Sequence, residues 1–290
     1  MTTFTDISFT SSDGLQLYAR DYASHGGQAK CAVICIHGLT RNSGDFEELA
    51  PWIAEQGRRV IAVDVRGRGR SQHDADPDHY NSVVYANDVI KLARDLGIGR
   101  AVFIGTSMGG LITMTVAARK LNLIAAAILN DVGPALSSKG LGRIAGFAGK
   151  TVEVNDWEEA THYIRQVNLS AFPDNSVEEW GKWARRAFTA NIEGKLALQY
   201  DPNIARPLQT GQLKSKSWVA NFAFRRLARN RPTLLIRGDL SDLVEPEQLA
   251  YMQDLAPDMQ YAEVNGVGHA PMLMEAQAQK AIREFLATVD

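Results

Sequence analysis

Short runs of apolar residues alternate with longer amphipathic stretches along most of this chain. The runs are Ala32 to Ile36, Val60 to Val63, Val102 to Ile104, Ala125 to Leu129, Thr233 to Ile236 and Gln260 to Val264. Most are continuously apolar, the pattern of strands covered on both faces of a parallel sheet. Between them, Phe46 to Gln56, Tyr80 to Leu96, Leu111 to Leu121 and Ala276 to Val289 carry apolar residues at helical spacing; Tyr85, Val89, Leu92 and Leu96 form one such stripe. Ahead of them, Phe4 to Thr10 and Leu15 to Tyr22 flank Asp13-Gly14, which predicts a hairpin. Alternating strands and helices of this kind predict an α/β domain with a mainly parallel sheet.

The alternation breaks between Leu129 and Pro232. The intervening residues contain no convincing strand, read as several helices and hold Trp157, Trp180, Trp183 and Trp218. They predict a helical cap over 134–228 inserted in a core made of 1–133 and 229–290. The cap aromatics Trp157, Trp180, Trp183, Trp218 and Phe222 are candidate substrate-binding residues, with helix packing as the commoner use of such side chains. The basic stretch Arg225 to Arg231 reads as a solvated helix face.

Composition adds limits. The 290 residues are 45% hydrophobic and 22% charged, with a formal net charge of −2. That charge supplies no field to attract nucleic acid or an anionic membrane surface. No run of about 18 apolar residues appears, and the start from Met1 lacks the basic and apolar regions of a signal peptide. Cys31 and Cys35, four residues apart along one strand, are too distant to bridge and read as buried thiols. A soluble, cytoplasmic protein is the expectation.

Gly105-Thr106-Ser107-Met108-Gly109 carries the candidate chemistry. The pattern G-x-S-x-G is common by itself. Here it follows the strand Val102 to Ile104 and opens the helix around Leu111, the strand–turn–helix setting of a nucleophile elbow. A serine hydroxyl needs a base to be nucleophilic at neutral pH, and the base needs an orienting acid. His269, in the Gly-rich loop after Gln260 to Val264, is the candidate base. For the acid, Asp242 is favoured, just past Thr233 to Ile236; Asp239 and Asp131 compete. Backbone N–H groups of Met108 and Leu39 are the candidate oxyanion donors. His37 reads as a brace for the Leu39 loop, and His25, His73, His79 and His162 as surface residues.

On these residues the chain resembles the α/β-hydrolase superfamily. The resemblance rests on His37-Gly38-Leu39, Gly105 to Gly109, Gly238 to Asp242 and Gly268-His269, in that order, joined by Asp64-Val-Arg-Gly-Arg-Gly-Arg-Ser71. It implies a mostly parallel eight-stranded sheet flanked by helices, a Ser107–Asp242–His269 triad and a lid-like cap. In the Asp64 segment, Gln72 stands where a dinucleotide fingerprint needs its third glycine, and Asp64 and Arg66 read as structural. Members that open epoxides or dehalogenate use Asp at the nucleophile position, and Ser107 argues against both reactions. The loop Thr40-Arg-Asn-Ser-Gly-Asp45 lacks the Gly-Pro-Gly segment usual in carbon–carbon bond hydrolases. The expected activity is hydrolysis of a small carboxylic ester or lactone, without cofactor or metal. Carbon–carbon hydrolysis, cofactor-free perhydrolysis and ligand sensing without turnover are the alternatives.

Overall fold

The computed structural model describes residues 4–26, 30–211 and 216–289. Residues 1–3, where the expected absence of a signal peptide begins, and 212–215, inside the expected cap, lie outside the described residues. The strands are β1 (Thr5–Thr10), β2 (Gln16–Tyr22), β3 (Ala32–Ile36), β4 (Val60–Asp64), β5 (Ala101–Thr106), β6 (Ile124–Asn130), β7 (Glu153–Val154), β8 (Phe188–Ala190), β9 (Leu196–Leu198), β10 (Thr233–Gly238) and β11 (Gln260–Val264). Eight of them, among the described residues, form one sheet in the order β1-β2-β4-β3-β5-β6-β10-β11. β1 and β2 make the expected hairpin, β2 runs antiparallel to β4, and the remaining pairs are parallel.

The helices are α1 (Leu49–Ala54), α2 (Ser82–Asp95), α3 (Met108–Lys120), α4 (Ser138–Ala145), α5 (Trp157–Asn168), α6 (Val177–Ala187), α7 (Arg206–Gln209), α8 (Trp218–Ala228), α9 (Pro246–Leu255) and α10 (Ala276–Leu286). Successive strand residues point to opposite faces, so β3 feeds two cores. Ile34 and Ile36 pack with α2, α3, α8 and α9, while Val33 and Cys35 pack with α1 and α10. Burial pushes the Cys35 thiol well above its ordinary range. Cys31 packs, partly buried, on the same layer. Helix α9 escaped the periodicity reading, because its buried residues are only Gln248 and Met252; Pro246 and the Glu245–Gln248 capping box mark its start instead.

The insertion between β6 and β10 differs from the expectation in two ways. It is not all helical: β7, β9 and β8 form a small antiparallel sheet beside α5 and α6. These strands are two or three residues long, too short to show a period of two in sequence. In addition, α8, expected to belong to the cap, packs on the main core. Phe224 and Leu227 are buried in the main core, and Arg226 Nε donates to the Ala117 carbonyl at 2.9 Å. The basic stretch likewise does more than face solvent. Arg229 Nε donates to Leu255 O and Arg231 Nε to Ile124 O.

The segment between β6 and β10 has a core of its own, in which Phe172, Trp180 and Trp183 meet edge to face at 4.7 and 5.0 Å. No helix among the described residues is long and apolar enough to cross a membrane.

Candidate active site

Three strand ends build the site. At the end of β5 the chain reverses into α3 through Ser107, whose φ of 53° and ψ of −115° are strained for a residue with a Cβ. Only glycine fits around it. A Cβ on Gly105 would lie 2.5 Å from the Gly109 backbone, and one on Gly109 would lie 2.0 Å from Ile36 O. The tight approach places the Ser107 hydroxyl at the carboxyl edge of the sheet. Ser107 N donates to Asn130 O at 3.0 Å, which locks the elbow to the end of β6.

His269 Nε2 lies 2.8 Å from Ser107 Oγ, and His269 Nδ1 lies 2.8 Å from Asp131 Oδ2. Asp131 is fully buried. The expected acid, Asp242, is not the residue on His269. It forms a bidentate pair with Arg143 of α4, through Nε at 2.6 Å and Nη2 at 2.7 Å. Burial raises the Asp242 carboxyl, but Arg143 more than offsets this, with a smaller contribution from His269, and holds it below the usual carboxylate range. Asp239 is occupied elsewhere, accepting from Gly266 N at 2.8 Å.

The reason lies in the backbone. Asp131 adopts a left-handed φ of 55°, tolerable for an aspartate, and its N–H donates to Ile236 O. The chain thus turns sharply at the end of β6, directly beside β5. The loop after β10 contributes a hydroxyl instead of an acid. Ser241 Oγ donates to Asp131 Oδ2 at 2.6 Å and accepts from Leu243 N and Val244 N.

Two further residues of the site escaped the sequence reading. Asn130 Nδ2 donates to Thr106 Oγ1 and to Pro271 O, tying the serine and histidine loops to β6. Its signal was its place beside Asp131 in a strand otherwise made of Ile, Ala and Leu. Arg68, fully buried, donates through Nε to Leu39 O at 3.0 Å and through Nη1 to Tyr85 Oη, and its Nη2 lies 3.3 Å from Met108 Sδ. It pins both residues expected to supply oxyanion donors. Gly38 brings that loop onto the serine, since a Cβ there would sit 3.8 Å from Ser107 Cβ. Met108 opens α3, where backbone N–H groups lack helical acceptors.

His37 is fully buried. Its Nε2 accepts from Val65 N at 3.1 Å, so the proton sits on Nδ1, which donates to Gly38 O at 2.7 Å. Burial lowers its pKa to about 4. It braces the Leu39 loop and stays away from the serine. Asp64 accepts from Ser43 N and Arg70 N, and Arg66 pairs with Asp13, Asp74 and Asp88, so both serve the framework. His25, His73 and His162 are exposed, whereas His79 is half-buried, with its Nδ1 3.0 Å from Asp74 Oδ2.

Two compartments meet at Ser107, Leu39 and Ile144. One, of about 90 Å³, is lined by His269, Arg41, Arg143, Phe172 and Trp183. The other, of about 370 Å³, is lined mainly by aliphatic side chains, among them Leu111, Val132, Leu141 and Leu243, and by Met108. Of the five aromatic residues expected to bind substrate, only Trp183 lines either compartment. Trp180 is buried between α5 and α6, Trp157 stacks under Arg185, and Trp218 and Phe222 are exposed on α8. Trp157 and Trp180 thus pack between helices, while Trp218 and Phe222 face solvent.

The sequence profile of the family described as alpha/beta hydrolase fold matches residues 32–276. A 3-hydroxybutyrate-oligomer hydrolase of Cupriavidus necator is 33% identical, over 92% of each chain. An sn-1-specific diacylglycerol lipase of Mus musculus is 26% identical, over 82% of this chain and 75% of its own. The crystal structure of an α/β hydrolase from Novosphingobium aromaticivorans superposes with a TM-score of 0.91 at 37% identity, covering 100% of both chains. The eight-stranded sheet, the serine elbow and these likenesses together place the chain in the α/β-hydrolase family, as a hydrolase.

Proposed function

We propose that the protein is a serine hydrolase of carboxylic esters that works through an acyl-enzyme. The reading rests on one observation, the continuous hydrogen-bonded line from Ser107 Oγ through His269 to buried Asp131. His269 takes the Ser107 proton as the oxygen attacks the ester carbonyl. Asp131 fixes the imidazole with its proton on Nδ1 and stabilises the imidazolium. The N–H groups of Leu39 and Met108 receive the developing oxyanion. His269 then protonates the leaving alcohol, and a water molecule, activated by the same base, releases the acid. Two of the relatives act on oxygen esters by name, and short esters of hydroxy acids are the class to test first, given the 33% identical 3-hydroxybutyrate-oligomer hydrolase.

A fluorophosphonate reagent should label the wild type at Ser107 and leave Ser107→Ala unlabelled, with loss of p-nitrophenyl butyrate hydrolysis. Labelling that persists in the variant, or turnover that survives it, removes the proposal.

A further inference from the structure

The two compartments are unlike in size and chemistry, and the mechanism assigns them different halves of the substrate. A general acid must reach the leaving oxygen, so the leaving group lies on the side lined by His269. That is the compartment of about 90 Å³. This space is the smaller of the two and suits the smaller half of the substrate. The acyl chain is left with the aliphatic compartment of about 370 Å³, on the side of Met108.

The small compartment carries two guanidinium groups with donors to spare. Arg143 spends Nε and Nη2 on Asp242, and its Nη1 makes no hydrogen bond to the described residues. Arg41 donates through Nε to Asp45; its Nη2 is 2.8 Å from Asp45 Oδ1 but out of hydrogen-bonding alignment, buried and without an acceptor. The placement of Arg143 is fixed twice over. Asp242 holds its head, and Gly140, one turn earlier on α4, presses on the β10 loop, its N–H donating to Asp242 O at 3.0 Å. A Cβ at Gly140 would meet that carbonyl at 2.7 Å. A fixed guanidinium with an open donor is suited to an anionic planar acceptor.

We infer that this compartment recognises a carboxylate on the leaving group, so that the enzyme removes single hydroxy acids from the carboxyl end of a short ester chain. The inference rests on the ester-hydrolase reading above. In the step, Ser107 Oγ bonds to the carbonyl of the penultimate unit. The bond from that carbon to the alkoxy oxygen of the terminal unit breaks. The serine proton passes through His269 Nε2 to that oxygen, which leaves as a free hydroxy acid. Arg143 is a specificity-determining residue here, and Asp242 positions it.

The test uses a linear trimer of 3-hydroxybutyrate whose carboxyl-terminal unit is ¹³C-labelled, with products read by mass spectrometry at early times. Labelled monomer and unlabelled dimer are expected first; labelled dimer first overturns the inference. Capping the carboxyl as a methyl ester should raise KM at least tenfold, and equal KM values overturn it. In Arg143→Gln the ratio of kcat/KM for the free acid over the methyl ester should fall at least tenfold, with partial recovery in Arg143→Lys. An unchanged ratio overturns the role of Arg143. If Arg143→Gln does not fold, product order and the methyl-ester comparison on the wild type decide. Hydrolysis of p-nitrophenyl butyrate without hydrolysis of the trimer overturns this inference alone. Failure on both substrates, with no labelling of Ser107, removes the ester-hydrolase reading beneath it.

Discussion

The loops after β6 and β10 each end in an aspartate near His269, yet the two acids have different partners. Asp131 is buried and meets the His269 imidazole and the Ser241 hydroxyl, while Asp242 is half-buried and closed onto Arg143. Both loops follow buried strands and both could supply the acid by position alone. The difference teaches that a carboxylate's role here follows from the donor it faces. The histidines repeat the lesson. His37 and His269 both follow strands, but His37 is locked between Val65 N and Gly38 O, and His269 spans serine and acid.

The sharpest way to break the comparison is to neutralise each acid in turn. Asp131→Asn removes the anion that sets the imidazole tautomer, and kcat should fall by about 10³ to 10⁴. Steady-state rates on p-nitrophenyl butyrate check this; a loss under tenfold would return the role to another acid. The histidine pair is separated by acid. His37 takes its proton only near pH 4 in the folded protein, against roughly 6.5 when unfolded. Its contribution is therefore full above pH 6.5 and is lost as pH falls towards 4. Urea unfolding at pH 7 and pH 5 should differ by about 2 kcal/mol from this group. A His37→Gln variant, less stable at pH 7, should show a shallower pH dependence.

Asp242→Asn should leave kcat within about threefold, since the acid on His269 is intact, and raise KM for carboxylate-bearing esters about tenfold, near 1.4 kcal/mol. A thousandfold loss of kcat would make the two loops equivalent after all. The smallest effect belongs to Ser241→Ala. It strips one hydrogen bond from Asp131 and should lower kcat about threefold, with about 1 kcal/mol less stability. Chemical denaturation and the pH–rate profile together distinguish a shift in the imidazole from simple unfolding.

Much of this was legible in the chain. Five apolar runs announced the inner parallel strands, because a strand buried on both faces has no polar face to interrupt it; the edge strand β11 is largely exposed. The elbow was legible because close approach of β5 and α3 demands glycine at 105 and 109. His269 was legible from its place in the glycine-rich loop after the last strand. The acid was not, because β6 and β10 are neighbours in the sheet and both end beside the site. Sequence order allows either, and only a left-handed turn at Asp131 chooses between them. The short strands β7 to β9 and the docking of α8 on the main core were hidden for a related reason. Two or three residues carry no periodicity, and Phe224 facing α3 looks like any aromatic on an amphipathic helix until the helix is docked.

The sequence by itself determined the parallel sheet, the serine on its strained turn and the histidine in its glycine loop, because these depend on local periodicity and on backbone space that only glycine leaves. The tertiary structure decided which aspartate meets the imidazole, which arginine faces the small compartment and which of five aromatics lines it. Those outcomes depend on pairings between residues some 100 positions or more apart, such as Asp131 with His269 and Arg143 with Asp242, and no local pattern encodes a partner at that distance.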